Sequence, residues 1–135
     1  MPAADLAEIR ESFEFFDDWE DKYRFIIDLG KSLPQMPEAE KQEKNLVRGC
    51  QSQVWLTAEF DAEDRLQLSL DSDAHIVRGL IAIVLAAYDG LERQAIADYD
   101  IESLFEELAL LKHLSPTRGN GLRAMIGRIR ELASA

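Results

Sequence analysis

The sequence predicts an α+β fold in which helices pack on one face of a small antiparallel sheet. Three observations indicate this class: apolar residues recur at helical spacing near the start, two middle segments alternate apolar and polar residues, and the helical pattern then returns. Strands gathered between runs of helices are typical of α+β proteins. The chain has 135 residues, 47% of them hydrophobic, so we expect one domain over residues 1–135, because two domains would each have too small a core.

Two helices are predicted before the sheet. Their apolar residues recur at helical spacing, which places them on one face of each helix. These residues are Leu6, Ile9, Phe13 and Phe16 in the first helix and Trp19, Tyr23, Ile26 and Ile27 in the second. Gly30 permits the second helix to end, and the prolines within Leu33–Pro37 cannot continue it.

A β-hairpin is predicted in the middle of the chain. Val54–Phe60 and Leu66–Asp71 both alternate apolar and polar residues, and the polar segment Asp61–Arg65 joins them. Each strand has one apolar and one mixed face, as expected when helices cover a single side of a sheet. Because Asn45–Arg48 is a candidate third strand, we expect two or three strands in all.

About four helices are predicted after the sheet, packed on its apolar face. The central one, Ala74–Tyr88, is apolar nearly all round, with Ser72 or Asp73 as its expected cap and Gly90 at its expected end. Two shorter helices are expected over Arg93–Asp98 and over Ile101–Leu108, the second capped by Asp100. The last helix is expected after Ser115–Thr117, and its apolar residues form one stripe: Leu122, Met125, Ile126, Ile129 and Leu132.

The charge argues against two classes of partner. A net charge of −11 disfavours nucleic acid, whose phosphates require a basic surface, and it disfavours an anionic membrane. Proteins are therefore the expected partners. Residues 113–135 differ from the rest, with four arginines against one glutamate. This excess indicates either a basic face on the last helix or an arginine that lies beside an anion or thiolate.

The location is expected to be the cytoplasm. The N-terminus is acidic and lacks the apolar core of a signal peptide. Leu80–Tyr88, the longest apolar run, is far shorter than the ~20 residues that a membrane-spanning helix needs. Cys50 is the only cysteine, so no internal disulfide forms and a reducing compartment fits. One cysteine and two separate histidines, His75 and His113, also predict no metal or cluster site.

Cys50 is the expected reactive residue. It follows Gly49 in a polar segment without hydrophobic periodicity, unlike a structural cysteine packed in a core. A thiol with a pKa of about 8.5 is mostly protonated at neutral pH, so reactivity predicts a nearby cation or helix N-terminus. The candidates are Arg48, Arg118 and the first amides of the helices after Ser72 and Thr117. The alternatives are an incidental loop cysteine, a solvated Arg48, an Asp73 that only caps a helix, and histidines that are structural or at the surface.

Four motifs together resemble the SufE family. They are Gly-Cys-Gln-Ser-Gln-Val-Trp at 49–55, Asp-Ser-Asp-Ala at 71–74, Val-Arg-Gly-Leu-Ile-Ala-Ile at 77–83 and His-Leu-Ser-Pro-Thr-Arg-Gly-Asn-Gly-Leu at 113–122. They occur in the family's order, and the resemblance spans about residues 6–132. Gly119 departs from the serine that we expect in many members, which bears on loop stiffness rather than on the chemistry.

The resemblance implies a sulfur acceptor with a SufE/IscU-like fold, an accessory protein rather than an enzyme. Members accept persulfide sulfur from a pyridoxal-phosphate-dependent cysteine desulfurase of the SufS or CsdA type, raise its turnover and deliver the sulfur to an iron–sulfur cluster scaffold. They have no cofactor or metal of their own. Here the acceptor would be Cys50, on a loop that lies against a sheltering pocket and swings out on partner contact. The supporting residues would be Gly49, Gln51, Ser52, Asp73 and Arg118, the last two flanking that loop.

Several alternatives remain open at the level of the sequence. The chain is compatible with a branch of the family that serves a second, CsdA-type desulfurase. A one-cysteine thiol enzyme would need an arginine and a threonine or serine arranged around Cys50, and the local sequence does not show that pattern. A structural adaptor would tolerate loss of Cys50. A lone thiol suits a carrier, because a second nearby cysteine would resolve the persulfide into a disulfide.

Overall fold

The computed structural model describes residues 5–50 and 52–134, and within them seven helices and two strands form the predicted α+β order. The fold-class prediction is therefore confirmed. Two short 3-10 helices, Glu38–Glu40 and Glu43–Asn45, lie between the second helix and the sheet. The elements are α1 (Leu6–Phe15), α2 (Trp19–Lys31), β1 (Val54–Phe60), β2 (Leu66–Ser72), α3 (His75–Tyr88), α4 (Arg93–Asp98), α5 (Ile101–Leu108), α6 (Leu110–His113) and α7 (Pro116–Ser134).

Helices α2 and α3 approach closely at two glycines. A Cβ at Gly30 would lie 2.7 Å from the backbone nitrogen of Gly79, and a Cβ at Gly79 would collide with the carbonyl group of Ile26. Helix α2 ends at Lys31, one residue after the glycine that was expected to permit its end. Gly30 is also required where the two helix backbones touch.

This contact gives a prediction about stability. Gly79→Ala should lower the free energy of unfolding by about 1–3 kcal/mol, because the added methyl overpacks a backbone contact. Gly127→Ala is the matched control: Gly127 also lies in a helix interior, but its Cβ would meet nothing within 4 Å. It should raise the free energy of unfolding by about 0.5–1 kcal/mol through helix propensity. Urea unfolding measures both, and equal effects at the two positions would contradict the packing argument.

The sheet contains two strands. β1 and β2 pair antiparallel from Val54 opposite Ser72 to Phe60 opposite Leu66. The candidate third strand is reduced to one isolated bridge, between Leu46 and Trp55. The expectation therefore resolves to two strands in the described residues, because a 3-10 turn ends at Asn45 and the chain leaves the sheet again soon after this bridge.

Helix α3 is the centre of the core, and ten of its fourteen residues are buried. Its predicted cap is wrong. The helix begins at His75, and its N-cap residue, Ala74, makes no side-chain capping bond. Ser72 Oγ accepts from Ala74 N–H before the helix begins, and the Asp73 carboxylate accepts from Gln53 N–H. Both predicted caps are thus engaged outside the helix.

Five helices follow the sheet in the described residues, where about four were predicted. Ala109, with φ of 54°, is left-handed and separates α5 from α6. The Asp100 cap is confirmed, since its carboxylate accepts from Ser103 N–H at 3.1 Å. His113 ends α6, where its ring stacks on that of Trp19 with the two ring centroids 4.3 Å apart.

A buried carboxylate connects β2 to the chain that precedes the sheet. Asp71 is fully buried and ion-paired with Arg78 of α3. Its oxygens also accept from Met36 N–H at 3.2 Å and from Ser72 N–H at 2.8 Å, and the ammonium of Lys41 lies 3.6 Å away. The carboxylate therefore holds the connection between α2 and β1 against the central helix.

Candidate functional site

The loop that carries Cys50 is closed at its base by backbone bonds. Val47 N–H donates to Val54 O at 2.8 Å. One step further out, Gln53 N–H donates to the Asp73 carboxylate at 3.2 Å, and Asp73 N–H donates to Gln53 O at 3.4 Å. The end of β2 therefore fixes where the loop leaves β1.

Gly49 allows the loop to turn toward α7. Its φ of 96° lies in a region that side chains disfavour. A Cβ at this position would also come within 3.3 Å of the Ala124 Cβ on α7. The glycine that the sequence placed beside Cys50 is thus needed both for the turn and for the close approach to the helix.

The Cys50 side chain rests on α7. It is half-buried, and its S–H group donates to the carbonyl oxygen of Gly121 at 3.6 Å. A Cβ at Gly121 would lie 3.4 Å from Sγ, at the edge of ordinary contact. The absence of a side chain at this helical position makes room for the sulfur.

A cavity of about 230 Å³ lies beside the sulfur, between β1, α3 and α7. Its apolar wall comes from the core, and its polar groups come from the loop and from the start of α7. The apolar residues are Val54, Val77, Leu80, Leu122 and Met125; the polar residues are Ser52, Ser115, Thr117 and Arg118. Arg118 is the one charged side chain among the described residues that line it.

The environment of Cys50 favours the neutral thiol. Burial raises the pKa of the Cys50 thiol above its ordinary value. The Gly121 carbonyl oxygen accepts a hydrogen bond from the S–H group, and only a protonated sulfur can donate that bond. The expectation that Arg48, Arg118 or a helix N-terminus lowers this pKa is wrong for this arrangement, because the pKa is raised and burial is the cause.

The supporting residues of the sequence prediction fall in different places. Ser52 and Arg118 line the cavity, whereas Asp73 is exposed and acts on the loop through Gln53. Gln51 lies outside the described residues. Arg48 is exposed and is not among the residues that line the cavity, and its guanidinium lies 3.9 Å from the Glu43 carboxylate.

Ser115, Thr117 and Gly121 also belong to the site, although the sequence interpretation did not select them. Ser115 Oγ accepts from Arg118 N–H at 3.2 Å and so caps the first turn of α7. Two features of the sequence could have indicated these residues. Ser115 and Pro116 form a pair typical of a helix start, and Gly121 lies three residues after Arg118, on the same face of the helix. Neither feature says that α7 lies beside Cys50.

The described residues contain neither a group of metal ligands nor a membrane-spanning helix. Among residues 5–50 and 52–134, no three His, Cys, Asp or Glu side chains are grouped so that they could hold a metal ion. None of the helices in the same part of the chain is both long and apolar enough to cross a membrane.

The burial of Cys50 predicts how its alkylation depends on pH. The folded protein should react with iodoacetamide more slowly than the urea-unfolded protein, because the raised pKa keeps the thiol protonated. For both, the alkylation rate should rise with pH as the thiolate forms, and the midpoint of that rise should lie at a higher pH in the folded protein. Asp73→Ala should speed alkylation of the folded protein by releasing the base of the loop, whereas Asp98→Ala, at an exposed helical site, should not. Identical pH profiles for folded and unfolded protein would contradict this description of the site.

The same burial affects stability. A thiol whose pKa is raised by folding stabilises the folded state at pH values below the unfolded pKa, and that contribution is lost as the pH rises through the folded pKa. We therefore expect unfolding to become easier above the ordinary thiol pKa, and this part of the pH dependence should disappear in Cys50→Ser.

Comparison with known proteins gives three findings. The family model described as "SufE: Fe-S metabolism associated domain" matches residues 7–133. An uncharacterized SufE-like protein of Rhizobium meliloti (strain 1021) is 50% identical over 131 residues, which cover 95% of this chain and 94% of the relative. A second such protein, from Rhizobium etli, is 47% identical over 133 residues, which cover 96% of this chain and 90% of the relative.

A solved structure has the same fold. The solution structure of a hypothetical protein from Thermus thermophilus superposes on this chain with a TM-score of 0.75. The superposition covers 99% of this chain and 96% of the Thermus chain. At 18% identity, this likeness concerns the fold alone.

Proposed function

The chain belongs to the SufE family, and from that premise we propose that it accepts persulfide sulfur on Cys50 from a cysteine desulfurase and delivers it to iron–sulfur cluster assembly. The observation that carries the proposal is the position of Cys50: a lone thiol on a short loop, half-buried beside a cavity. A carrier needs both a reactive sulfur and a place where the sulfur is sheltered from oxidants.

The transfer begins with the loop leaving α7. While the loop rests on α7, which we call the closed arrangement, the thiol is protonated and donates a hydrogen bond to the Gly121 carbonyl oxygen. In this state it is a weak nucleophile. When the partner draws the loop out, solvation lowers the thiol pKa and thiolate forms. Cys50 then attacks the terminal sulfur of the enzyme's persulfide, and the enzyme thiol departs. Removal of the sulfur frees the desulfurase for another cycle, which explains stimulation.

The supporting residues have separate roles in this proposal. Gly49 is the hinge, since its positive φ allows the loop to turn and its lack of a side chain allows the loop to lie close to Ala124 of α7. Asp73 holds the closed loop through Gln53, and Ser52 and Arg118 line the cavity beside the sulfur once the loop has returned. Arg118 lines the cavity in which the outer sulfur of the persulfide is sheltered.

The partners follow from the same chemistry. The pyridoxal phosphate belongs to the desulfurase, of the SufS or CsdA type, and the downstream acceptor is a cluster scaffold. The acidic chain, with its net charge of −11, suits a protein partner rather than nucleic acid. The single cysteine, which has no internal disulfide partner, suits a reducing compartment such as the cytoplasm.

The direct test mixes a desulfurase, cysteine and this protein, and measures alanine release and the intact mass of the acceptor. The protein should gain the mass of one sulfur, which peptide mapping places on Cys50, and alanine should be released faster than by the desulfurase alone. A protein that gains no sulfur from either type of desulfurase would refute the proposal.

One observation favours the thiol-enzyme alternative in part. The fold brings Arg118, Thr117 and Ser52 to the Cys50 cavity, a grouping that the local sequence does not show. A peroxidase also needs a thiolate, and burial raises the Cys50 pKa. The carrier is therefore the better account, and slow reaction of the folded protein with hydrogen peroxide is the expected result.

A further inference from the structure

The cavity beside Cys50 has more room than the thiol uses. Its volume is about 230 Å³ with the cysteine already in place. For comparison, an engineered protein cavity of about 150 Å³ binds benzene. A second small molecule can therefore lie beside the sulfur without the loop opening.

The polar groups of the cavity select for a small anion. Ser52, Ser115 and Thr117, which carry hydroxyl groups, line it together with Arg118, and no carboxylate is among the described residues that line it. The chain as a whole has 26 acidic residues, so a cavity lined without one differs from most of the surface. Hydroxyl and guanidinium donors are the groups that bind oxyanions.

We propose that this cavity binds a small oxyanion with a nucleophilic sulfur, of the sulfite class, and that the Cys50 persulfide transfers its outer sulfur to that anion. The inference rests on the persulfide of the proposed function and adds a second, low-molecular-weight acceptor. It assigns an activity to the closed protein that requires no scaffold.

The reaction is balanced without any further reagent. The lone pair on the sulfite sulfur attacks the outer sulfur of Cys50–Sγ–SH, which forms the new sulfur–sulfur bond. The bond between Sγ and the outer sulfur breaks, and Sγ keeps its electron pair and takes the proton of the persulfide. Sulfite is oxidised to thiosulfate, and Sγ is reduced to the thiol with which the cycle began.

The surroundings assist each part of this step. Burial that keeps the Cys50 thiol neutral also favours a neutral persulfide, whose outer sulfur is more open to attack by an anion. Arg118 and the hydroxyl groups hold the charge of the incoming oxyanion, and the Arg118 guanidinium has no carboxylate partner among the described residues.

The test loads Cys50 without a desulfurase, so that it does not depend on partner binding. The cysteine is converted to a mixed disulfide with an aromatic thiol, and sulfide then displaces that thiol to leave the persulfide, which intact mass verifies. Sulfite is added over a range of concentrations at constant ionic strength, and thiosulfate is measured with time. The rate should reach saturation with sulfite, and sulfate, which has no lone pair on sulfur, should inhibit competitively.

Two variants complete the test. Arg118→Gln should slow discharge at low sulfite by about ten- to a hundredfold, the effect of losing a charge-assisted hydrogen bond, and should abolish saturation. Arg123→Gln is the matched control, since Arg123 is also exposed on α7 but does not line the cavity, and it should behave as the unchanged protein.

The inference is overturned if the unchanged protein discharges at a rate that is linear in sulfite and equal to that of its urea-unfolded persulfide, or if Arg118→Gln matches Arg123→Gln. If the chemically loaded protein shows saturation but no desulfurase loads Cys50, the proposed function fails and the anion site stands. The two failures are thus distinguishable.

Discussion

Cys50→Ser should gain no sulfur from a desulfurase and should leave its turnover at the rate of the enzyme alone. The serine hydroxyl is not ionised at neutral pH and is a poor nucleophile toward a persulfide. The substitution should hardly affect folding, because Cys50 is half-buried and a hydroxyl can also donate to the Gly121 carbonyl. The expected effect is therefore complete loss of function in a folded protein.

The measurement has three readouts: alanine release, intact mass and thermal unfolding. Arg48→Gln is the matched control, since it changes the same loop at an exposed position outside the cavity, and it should retain sulfur uptake. If Cys50→Ser stimulates the desulfurase as well as the unchanged protein, then the protein is an allosteric activator and its cysteine is incidental.

Asp71→Ala should lower the free energy of unfolding by about 3–5 kcal/mol, the cost of breaking a buried ion pair by removing one partner. The carboxylate is fully buried, and its loss leaves Arg78 without its ion-pair partner and Met36 N–H without its acceptor. Urea unfolding gives the magnitude. Asp73→Ala, two residues further on and exposed, is the control, with an expected loss of less than about 1 kcal/mol.

A double variant separates the ion pair from the rest of the network. Arg78→Ala combined with Asp71→Ala should destabilise by clearly less than the sum of the two single changes, because the second change removes a charge that the first left unpaired. Strictly additive effects would show that Asp71 acts through its backbone partners alone.

The fold was largely predictable because its signals are local. Helical spacing in α1 and α2, alternation in β1 and β2, and the Asp100 cap depend on residues a few positions apart. The failures come from contacts between distant residues. Gly30 was interpreted only as a residue that permits a helix to end, because nothing in the local sequence shows that it packs against Gly79.

The reactive residue of the site could be predicted from the sequence, whereas several residues around it could not. Cys50 is unique in the sequence and its polar setting is visible there, and the motifs of the resemblance indicated Arg118. Gly121 and Thr117 reach Cys50 only through tertiary packing of α7. The direction of the thiol pKa was missed for the same reason: charge can be read from the sequence, whereas desolvation depends on the closed fold.

The bond between Cys50 and Gly121 has a consequence for synthesis of the protein. The two residues are 71 positions apart, so the ribosome completes the Cys50 loop long before it adds the helix on which the loop rests. A nascent or truncated chain that lacks α7 carries a solvated thiol with its ordinary acidity, open to oxidants and to any disulfide. Shelter of the sulfur is therefore a property of the finished chain, and an incomplete copy can be recognised by the reactivity of its one cysteine.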